Sequence, residues 1–333
     1  MDGQEVAPDE LPEEPDTIFY RRWDGQVWSE PLDILAVADD PLADFVAATI
    51  DRENQLHLVW TGSTQLYYST APATEAHSVR AWSAPQVIAH DIARTRFESD
   101  VAVDSQGDIH VVYASGGSAP GVYHIAAPLT SPVWSMPVRL SDHLRANEIG
   151  FRDVRLLIDA SDRLHTVWST SNPNGFGQAV YYVGSNERAN AWDLPVRLLD
   201  ATINTGFAGF PYLLARGSDQ LTLIHVGEDN QGRIERTSID AGKTWSEPRF
   251  ILPGMEGVNG YVIPLLDGGG GLHLVINMRP SADQQVGIYY APRAGLDWRP
   301  IDAVAVEAPY GPSAHNTDAT VRLGNEIHVV WTQ

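Results

Sequence analysis

The sequence predicts an all-β fold, a six-bladed β-propeller of four-stranded antiparallel blades, and two repeated phrases carry this prediction. The first phrase is an aliphatic residue, a histidine and further apolar residues, with threonine replacing the histidine in the fourth copy. Its six copies begin at Leu56, Ile109, Leu164, Leu221, Leu272 and Ile327. The second phrase, Trp-x-x-Pro followed by an apolar alternation, begins at Trp28, Trp82, Trp134, Trp192 and Trp245, with a shortened copy at Trp298. Repeats of this length are typical of propeller blades.

Each repeat contains four short strands, as the second copy illustrates. Its strands are predicted at Val101–Asp104, Ile109–Tyr113, Gly121–Ile125 and Pro137–Leu140. The first two strands are separated by Ser105–Asp108, which is rich in turn-forming residues. Four short strands per repeat indicate one blade, and no stretch shows the period of an amphipathic helix.

The two ends of the chain are out of phase with the repeat. The chain begins with a third and a fourth strand, Thr17–Tyr20 and Trp28–Leu35, and finishes with a first and a second strand, Thr320–Leu323 and Ile327–Thr332. Each half-blade alone would leave an open sheet edge. We therefore expect the N-terminal strands to pair with the C-terminal half-blade and close the ring, so that residues 17–333 form one propeller.

The charge of the chain is strongly negative, with a formal net value of −21. Seven acidic residues and no basic residue fall within Met1–Asp16, a Pro-rich segment that we interpret as a disordered leader or linker. Lys243 is the only lysine. An acidic surface repels nucleic acid and anionic membranes, so neither is an expected partner.

Other classes of protein are disfavoured by what the sequence lacks. The absence of cysteine excludes disulfides, Cys-ligated zinc and thiol catalysis. No apolar run is long enough for a transmembrane helix, and no secretory signal is present in the sequence. Gly268–Gly271 lacks the following helix of a phosphate loop, and the acidic link Asp39–Asp44 lacks the spacing of an EF-hand. We therefore expect no metal and no cofactor. Because acidic linkers ahead of propellers often follow a signal or lipid anchor, we expect an extracellular or cell-envelope location.

The repeated histidines are interpreted as structural residues. They occupy one position of the repeat, which is filled by Thr222 in the fourth copy. The histidines are His57, His110, His165, His273 and His328. Catalytic or metal-binding residues converge on one point, whereas these are spread evenly through the repeats. We therefore expect each imidazole to bond a neighbouring strand or turn.

The fourth copy carries one specific motif, Ser238-Ile-Asp-Ala-Gly-Lys-Thr-Trp245, which matches the Asp-box pattern S-x-D-x-G-x-T-W. Asp240 can accept hydrogen bonds from its own turn, Gly242 can take positive φ, and Trp245 can fill the space between blades. These four residues, Ser238 included, are therefore expected to be structural. The chain resembles the Asp-box (BNR-repeat) propellers, whose best-known enzymes are the six-bladed sialidases.

The resemblance implies a site on the axial loop face, opposite the Asp-box turns. In sialidases, three arginines bind the sugar carboxylate, a tyrosine activated by a glutamate is the nucleophile, and an aspartate is the acid/base. The matching candidates are Arg96, Arg152 and Arg279 for the carboxylate, Tyr310 with Glu307 for the nucleophile, and Asp100 or Glu98 for the acid. The family's Arg-Ile-Pro motif is absent, since the first strand reads Ile18-Phe-Tyr-Arg-Arg22.

Two hypotheses for function follow. The first is a sialidase-like glycoside hydrolase that acts on acidic sugars through these charged residues, with a possible exo-sialidase activity. The second is a non-catalytic propeller that binds a glycan, a small carbohydrate or a protein through the same loop face. Aromatic and amide side chains of the links suit the second hypothesis: Phe151, Phe176, Phe207, Phe210, Asn172, Asn174, Asn204 and Asn259.

Overall fold

The computed structural model describes most of the chain after the acidic leader. The described residues are 16–92, 99–130, 133–142, 148–187, 189–200, 209–226, 233–252, 256–279, 287–298, 302–306, 315–322 and 324–332. Within them the regular structure is β-strand except for one short 3₁₀ helix, Val79–Ala81. The prediction of an all-β chain is confirmed. The chain divides into two compact units, residues 1–95 and 96–333, and each is described by itself.

The first unit contains a hairpin and one four-stranded sheet. The N-terminal hairpin pairs β1 (Ile18–Tyr20) with β2 (Leu32–Leu35). The first sheet is antiparallel and consists, in spatial order, of β3 (Asp44–Ile50), β4 (Gln55–Thr61), β5 (Gln65–Pro72) and β6 (Gln86–His90). Its core packs Trp60, Tyr67 and Trp82 together with Ile18 and Ile34 from the hairpin. Burial of such side chains stabilises the unit by roughly 1.5–3 kcal/mol each.

The second unit contains four further antiparallel sheets and a C-terminal hairpin. The second sheet has β7 (Ser99–Val103), β8 (Asp108–Ser115), β9 (Gly121–Pro128) and β10 (Val138–Arg139). The third has β11 (Gly150–Ile158), β12 (Leu164–Ser171), β13 (Gly177–Gly184) and β14 (Val196–Asp200). The fourth has β15 (Gly209–Arg216), β16 (Gln220–Val226), β17 (Arg233–Ser238) and β18 (Arg249–Ile251). The fifth has β19 (Glu256–Leu266), β20 (Leu272–Arg279), β21 (Gly287–Ala294), β22 (Asp297–Trp298) and β23 (Asp302–Val306). The C-terminal hairpin pairs β24 (His315–Arg322) with β25 (Glu326–Thr332).

These sheets agree with the predicted blade. In the second sheet the four strands lie where the repeat places them, with boundaries that differ by at most three residues. The fifth sheet differs from the prediction, because β21 pairs both with the two-residue β22 and with β23. The number of blades and the pairing of the N-terminal strands with the C-terminal hairpin stay predictions.

The sheets of the second unit pack face against face in chain order. Their first strands, which we call the inner strands, contact one another in succession: β7, β11, β15, β19 and β24. Between the third and fourth sheets, Val167 and Val180 pack against Leu221 and Leu223. Every residue of β12 and β13 is buried. These two strands therefore have no solvent-facing side, and their buried polar residues, such as His165 and Gln178, lie among the apolar ones.

The repeated histidine is a structural residue in four of the sheets, as predicted. In the third sheet His165 Nδ1 lies 2.8 Å from Tyr182 Oη, and its Nε2 lies 3.2 Å from Asp159 Oδ2. Asp159 Oδ1 also accepts the N–H groups of Ser161 and Arg163, so one carboxylate holds both the turn and the imidazole. Equivalent triads are Asp51–His57–Tyr68, Asp104–His110–His124 and Asp267–His273–Tyr290. His328 instead lies 3.7 Å from Glu326.

The Ser238–Trp245 segment forms a tight turn beside the third sheet. Asp240 accepts the N–H of Thr244 at 2.9 Å and the hydroxyl of Ser238 at 2.8 Å. The hydrogen bond from the Thr244 hydroxyl, followed by the bonds from the Thr244 N–H and the Ser238 hydroxyl, lowers the pKa of Asp240 to about 2. Gly242 has φ of +87°. Trp245 packs edge-on against Tyr182, with their ring centroids 5.0 Å apart, so it fills the space between two sheets.

Candidate functional site

A bulge shapes the beginning of several inner strands. The pairing register shifts between Arg152 and Arg155 in β11 and between Gly209 and Tyr212 in β15. Asp153 and Phe210 adopt positive φ within these bulges. The buried carboxylate of Asp153 accepts the N–H of Phe210 at 3.1 Å, which fixes one bulge against the next. Bulges of this kind redirect the side chains that follow them.

Four inner strands have a polar residue at one register position, which directly follows the register shift in β11, β15 and β24. Tyr212 pairs with Ile224, Arg155 with Val167, Asp100 with Val112 and Asp318 with Val330 in their strand ladders. Each therefore lies ten residues before the repeat-histidine position and occupies one register position of its inner strand. We call Asp100, Arg155, Tyr212 and Asp318 the inner-strand cluster.

Arg155 is the central cation of the inner-strand cluster. Its guanidinium lies 5.0 Å from the centroid of the Tyr212 ring, and Nη2 lies 3.4 Å from Tyr212 Oη. Its Nη1 donates to the carbonyl of Val154 at 2.9 Å. These contacts hold the guanidinium against the aromatic ring, where its positive charge acts on the neighbouring inner strands.

The pKa of Asp100 is perturbed in this cluster. Burial raises the pKa of its carboxyl group, and the Asp318 carboxylate raises it further. The positive charge of Arg155 and the N–H groups of Leu156 and Val101, at 2.8 and 2.9 Å, act in the opposite direction without cancelling the effect of burial. A carboxyl group with a raised pKa is suited to donate a proton to a leaving oxygen.

The predicted site residues lie only partly within the described part of the chain. Asp100 lies on β7, in the inner-strand cluster. Arg152 lies three residues before Arg155, and its Nη2 donates to the carbonyl of Gly175 at 3.0 Å in the link between β12 and β13. Arg279 is the last residue of β20, and the structure describes its backbone but not its side chain. Arg96, Glu98, Glu307 and Tyr310 also lie outside them. Convergence of the three predicted arginines therefore stays a prediction.

Tyr181 and Glu148 form a tyrosine–carboxylate pair. This pair is separate from the inner-strand cluster. Tyr181 Oη donates to Glu148 Oε2 at 2.7 Å, and Arg197 Nη2 lies 2.7 Å from Glu148 Oε1. Trp168 stacks on the Tyr181 ring with centroids 5.5 Å apart. All four side chains are largely buried.

The first sheet contains the same pair, which shows that the pair belongs to the repeat. Tyr67 Oη donates to Asp40 Oδ2 at 2.9 Å, and Trp60 stacks on Tyr67. Burial and the Asp40 carboxylate raise the pKa of Tyr67 to about 12, so its proton is retained. Asp40 and Glu148 each lie in the link that leads into the first strand of their sheet. The pairs therefore anchor these links to the third strand of their sheets.

The fold and the cluster define the class of the protein. It is an all-β chain of consecutive four-stranded antiparallel sheets, the arrangement of propeller blades, with charged residues where the inner strands begin. No helix in the described part of the chain is long and apolar enough to cross a membrane.

Comparison with solved structures agrees with this class. The chain is similar to a Hadza microbial sialidase, with a TM-score of 0.58 and 12% identity over 87% of this chain and 63% of that one. It is similar to a polysaccharide lyase, an ulvan lyase, with a TM-score of 0.57 and 13% identity over 85% of this chain and 78% of that one. A protein of unknown function from Dyadobacter fermentans has a TM-score of 0.57 and 12% identity over 87% of this chain and 90% of that one.

These likenesses show the fold. The neighbours are β-propellers. The chain spans slightly less than two thirds of the length of the sialidase. No protein-family model and no curated protein matches the sequence.

Proposed function

We propose that the chain is a six-bladed β-propeller that binds acidic glycans where its inner strands begin and hydrolyses them as a sialidase-like glycoside hydrolase. The observation that carries this proposal is the inner-strand cluster, in which a carboxyl group of raised pKa lies near an arginine packed on a tyrosine ring. Similarity of fold to a sialidase and to a polysaccharide lyase supports a glycan as the substrate class.

In this proposal each described residue has a stated task. Arg155 attracts the sugar carboxylate through charge-assisted hydrogen bonds, with Arg152 of the same bulge beside the incoming sugar. Asp100 is the general acid that protonates the leaving oxygen. Arg96 and Arg279 complete the carboxylate clamp, and Tyr310 with Glu307 provides the nucleophile. Glu98 is the second candidate for the acid.

The architecture is part of the same proposal. The N-terminal hairpin and the C-terminal hairpin complete the sixth blade, since each alone is a two-stranded sheet with open edges. Ser238–Trp245 is an Asp-box turn on the face opposite the ligand. An extracellular or cell-envelope location follows from a polymeric glycan as substrate.

The test is hydrolysis of 4-methylumbelliferyl N-acetylneuraminic acid between about pH 4 and 8. Turnover is expected in the wild type, with a loss of about 100-fold or more in Asp100→Asn. Asp297→Asn is the matched control, because Asp297 is almost fully exposed on β22 and should keep full activity. Absence of turnover in the folded wild type would exclude a simple exo-sialidase.

A second candidate function is non-catalytic glycan binding by the same face. The observation that favours it is Phe176, whose side chain is 49% exposed in the link between β12 and β13. This link is ordered by Asn172, whose side chain accepts the N–H of Phe176 at 3.1 Å. An exposed aromatic ring on an ordered link suits stacking on a sugar ring. Binding on a glycan array that is lost in Phe176→Ala, without turnover in the hydrolysis assay, would support this function.

A further inference from the structure

The fourth sheet lacks the triad that the other full sheets contain. At the position of the turn aspartate it has Arg216, at that of the histidine Thr222, and at that of the tyrosine Glu235. Thr222 pairs with Thr237 just as His165 pairs with Gly184, so the correspondence is one of register and not only of sequence. In the fourth sheet, threonine therefore replaces the imidazole ring and glutamate replaces the phenol ring.

A cavity of about 460 Å³ lies at this place, between the fourth and fifth sheets. Its volume falls within the range of small-molecule sites. Leucine side chains form its apolar walls and threonine hydroxyls and guanidinium groups its polar ones. The main lining residues are Leu214, Arg216, Thr222, Thr237, Leu272 and Arg293. Because the first-to-second-strand turns of both sheets surround it, the cavity lies toward the turn end of these sheets, and no residue of the inner-strand cluster lines it.

The charge of the cavity is positive although the chain is acidic. Arg216 donates to the carbonyl of Gly270 across the gap between the two sheets, and no carboxylate among the described residues pairs with it. Arg293 Nη2 lies 3.0 Å from Glu235, but Glu235 also pairs with Arg249 at 2.8 Å, so one carboxylate serves two guanidinium groups.

Two acidic residues beside the cavity lining already have partners. Asp267 lies 2.9 Å from His273 and accepts N–H groups of its own turn. Asp240 is held by Thr244 and Ser238. The residues that line the cavity include two arginines and no acidic residue, so hydrogen-bond donors and positive charge predominate among them.

We propose that this cavity is a second ligand site, distinct from the inner-strand cluster, which binds one acidic monosaccharide residue through its carboxylate. Arg216 and Arg293 hold the carboxylate, since guanidinium groups bind carboxylates in a fork geometry. Thr222 and Thr237 donate to and accept from the ring hydroxyls, and Leu214 and Leu272 pack against the apolar face of the ring. The proposal does not depend on hydrolysis at the other end of the sheets.

The test is a titration of the full chain with D-glucuronate and N-acetylneuraminate, followed by amide NMR shifts of Thr222, Gly270 and Gly271. D-glucose and inorganic phosphate are the comparison ligands. Saturable shifts at these three amides with at least one acid, and not with glucose or phosphate, are expected. Arg216→Gln should weaken this binding by about tenfold or more, the effect of one charge-assisted hydrogen bond.

Two further variants make the test specific. Arg216→Asp/Thr222→His rebuilds the Asp–His pair of the neighbouring sheets and fills the cavity, so it should abolish the shifts while keeping a cooperative thermal transition. Arg322→Gln is the matched control, because Arg322 occupies the same repeat position as Arg216 in the C-terminal hairpin. No saturable shift with either acid, equal binding of glucose or phosphate, or equal weakening by Arg216→Gln and Arg322→Gln would each overturn the proposal.

Discussion

Arg155 on the third sheet lies with its guanidinium 5.0 Å from the ring centroid of Tyr212 on the fourth, and its charge also acts on Asp100 of the second. One arginine therefore links three consecutive inner strands. These three residues occupy the same register position in successive sheets. The repeat therefore brings them together, although the side chain at that position differs from sheet to sheet. A symmetric scaffold thus obtains an asymmetric charge distribution.

Removal of the Arg155 charge should change the titration of Asp100. The Arg155 cation lowers the pKa of Asp100, so Arg155→Gln is expected to raise that pKa above its already raised value. The side-chain carbon resonance of Asp100, followed against pH by NMR, measures the change. Arg322→Gln should leave it unaltered, and an unchanged or lower Asp100 pKa in Arg155→Gln would refute the assignment.

Asp100 should also contribute to the pH dependence of stability. A carboxyl group whose pKa is raised by folding binds its proton more tightly in the folded state, so its contribution to stability is lost as pH rises from the ordinary carboxyl range through the raised pKa. Asp100→Asn should remove this part of the dependence. Urea unfolding across the acidic range compares the two proteins, and parallel curves would contradict the expectation.

His124 occupies a position where the equivalent triads have tyrosine, and it should make the second sheet sensitive to acid. Burial and the neighbouring His110 lower the pKa of His124 to about 3. A lowered histidine pKa means that stability is lost as pH falls from the ordinary value of 6.5 toward that value. His124 packs edge-on against Trp192 as Tyr182 does against Trp245, so a tyrosine should fit.

His124→Tyr is therefore expected to match the wild type near pH 8 and to exceed it by on the order of 1–2 kcal/mol at pH 5. The free energy of unfolding in urea at the two pH values measures this. His328→Gln serves as the control, since the side chain of His328 is 39% exposed. An equal difference at both pH values would show that packing and not protonation separates the proteins.

Gly242 is expected to be intolerant of a side chain. Its φ is +87°, and a Cβ there would come within 1.9 Å of Tyr182 Oη. Gly242→Ala should destabilise the protein by more than Gly107→Ala, because Gly107 has φ of +84° but nothing within 4 Å of an added Cβ. Chemical unfolding of both variants separates the backbone strain from the clash. Similar losses in both would mean that the neighbouring sheet moves to admit the methyl group.

The N-terminal hairpin should be essential, whereas the acidic leader should not. Deletion of residues 1–15 is expected to leave the urea midpoint unchanged. Deletion of residues 1–22 removes β1 and with it the buried Ile18, so a loss of about 2–5 kcal/mol is expected. Circular dichroism during unfolding provides the comparison. Equal stability of the two truncated proteins would contradict closure of the last blade by this hairpin.

The strands and the histidine triads could be predicted from the sequence because their signals are local and repeated. Turn aspartate and histidine are always six residues apart, as in Asp159 and His165. The Glu148–Tyr181 bond joins residues 33 apart across a link, so no local pattern reports it.

The inner-strand cluster was only partly predicted. The resemblance to sialidases indicates Asp100 as a candidate, whereas it does not indicate the contact between Arg155 and Tyr212. The sequence does contain a pattern that relates these two residues. Arg155 and Tyr212 each lie ten residues before the repeat-histidine position. The bulges that set the register of these residues depend on backbone geometry, which the amino-acid types do not specify.

The complete burial of β12 and β13 has a consequence for how such a protein can change over time. Mutations in strands with no exposed side meet immediate selection against misfolding, whereas replacements in the connecting segments are screened mainly for what they bind. We therefore expect substitutions to be tolerated best at the two ends of the sheets. The same framework can acquire new specificities at one end without disturbing recognition at the other.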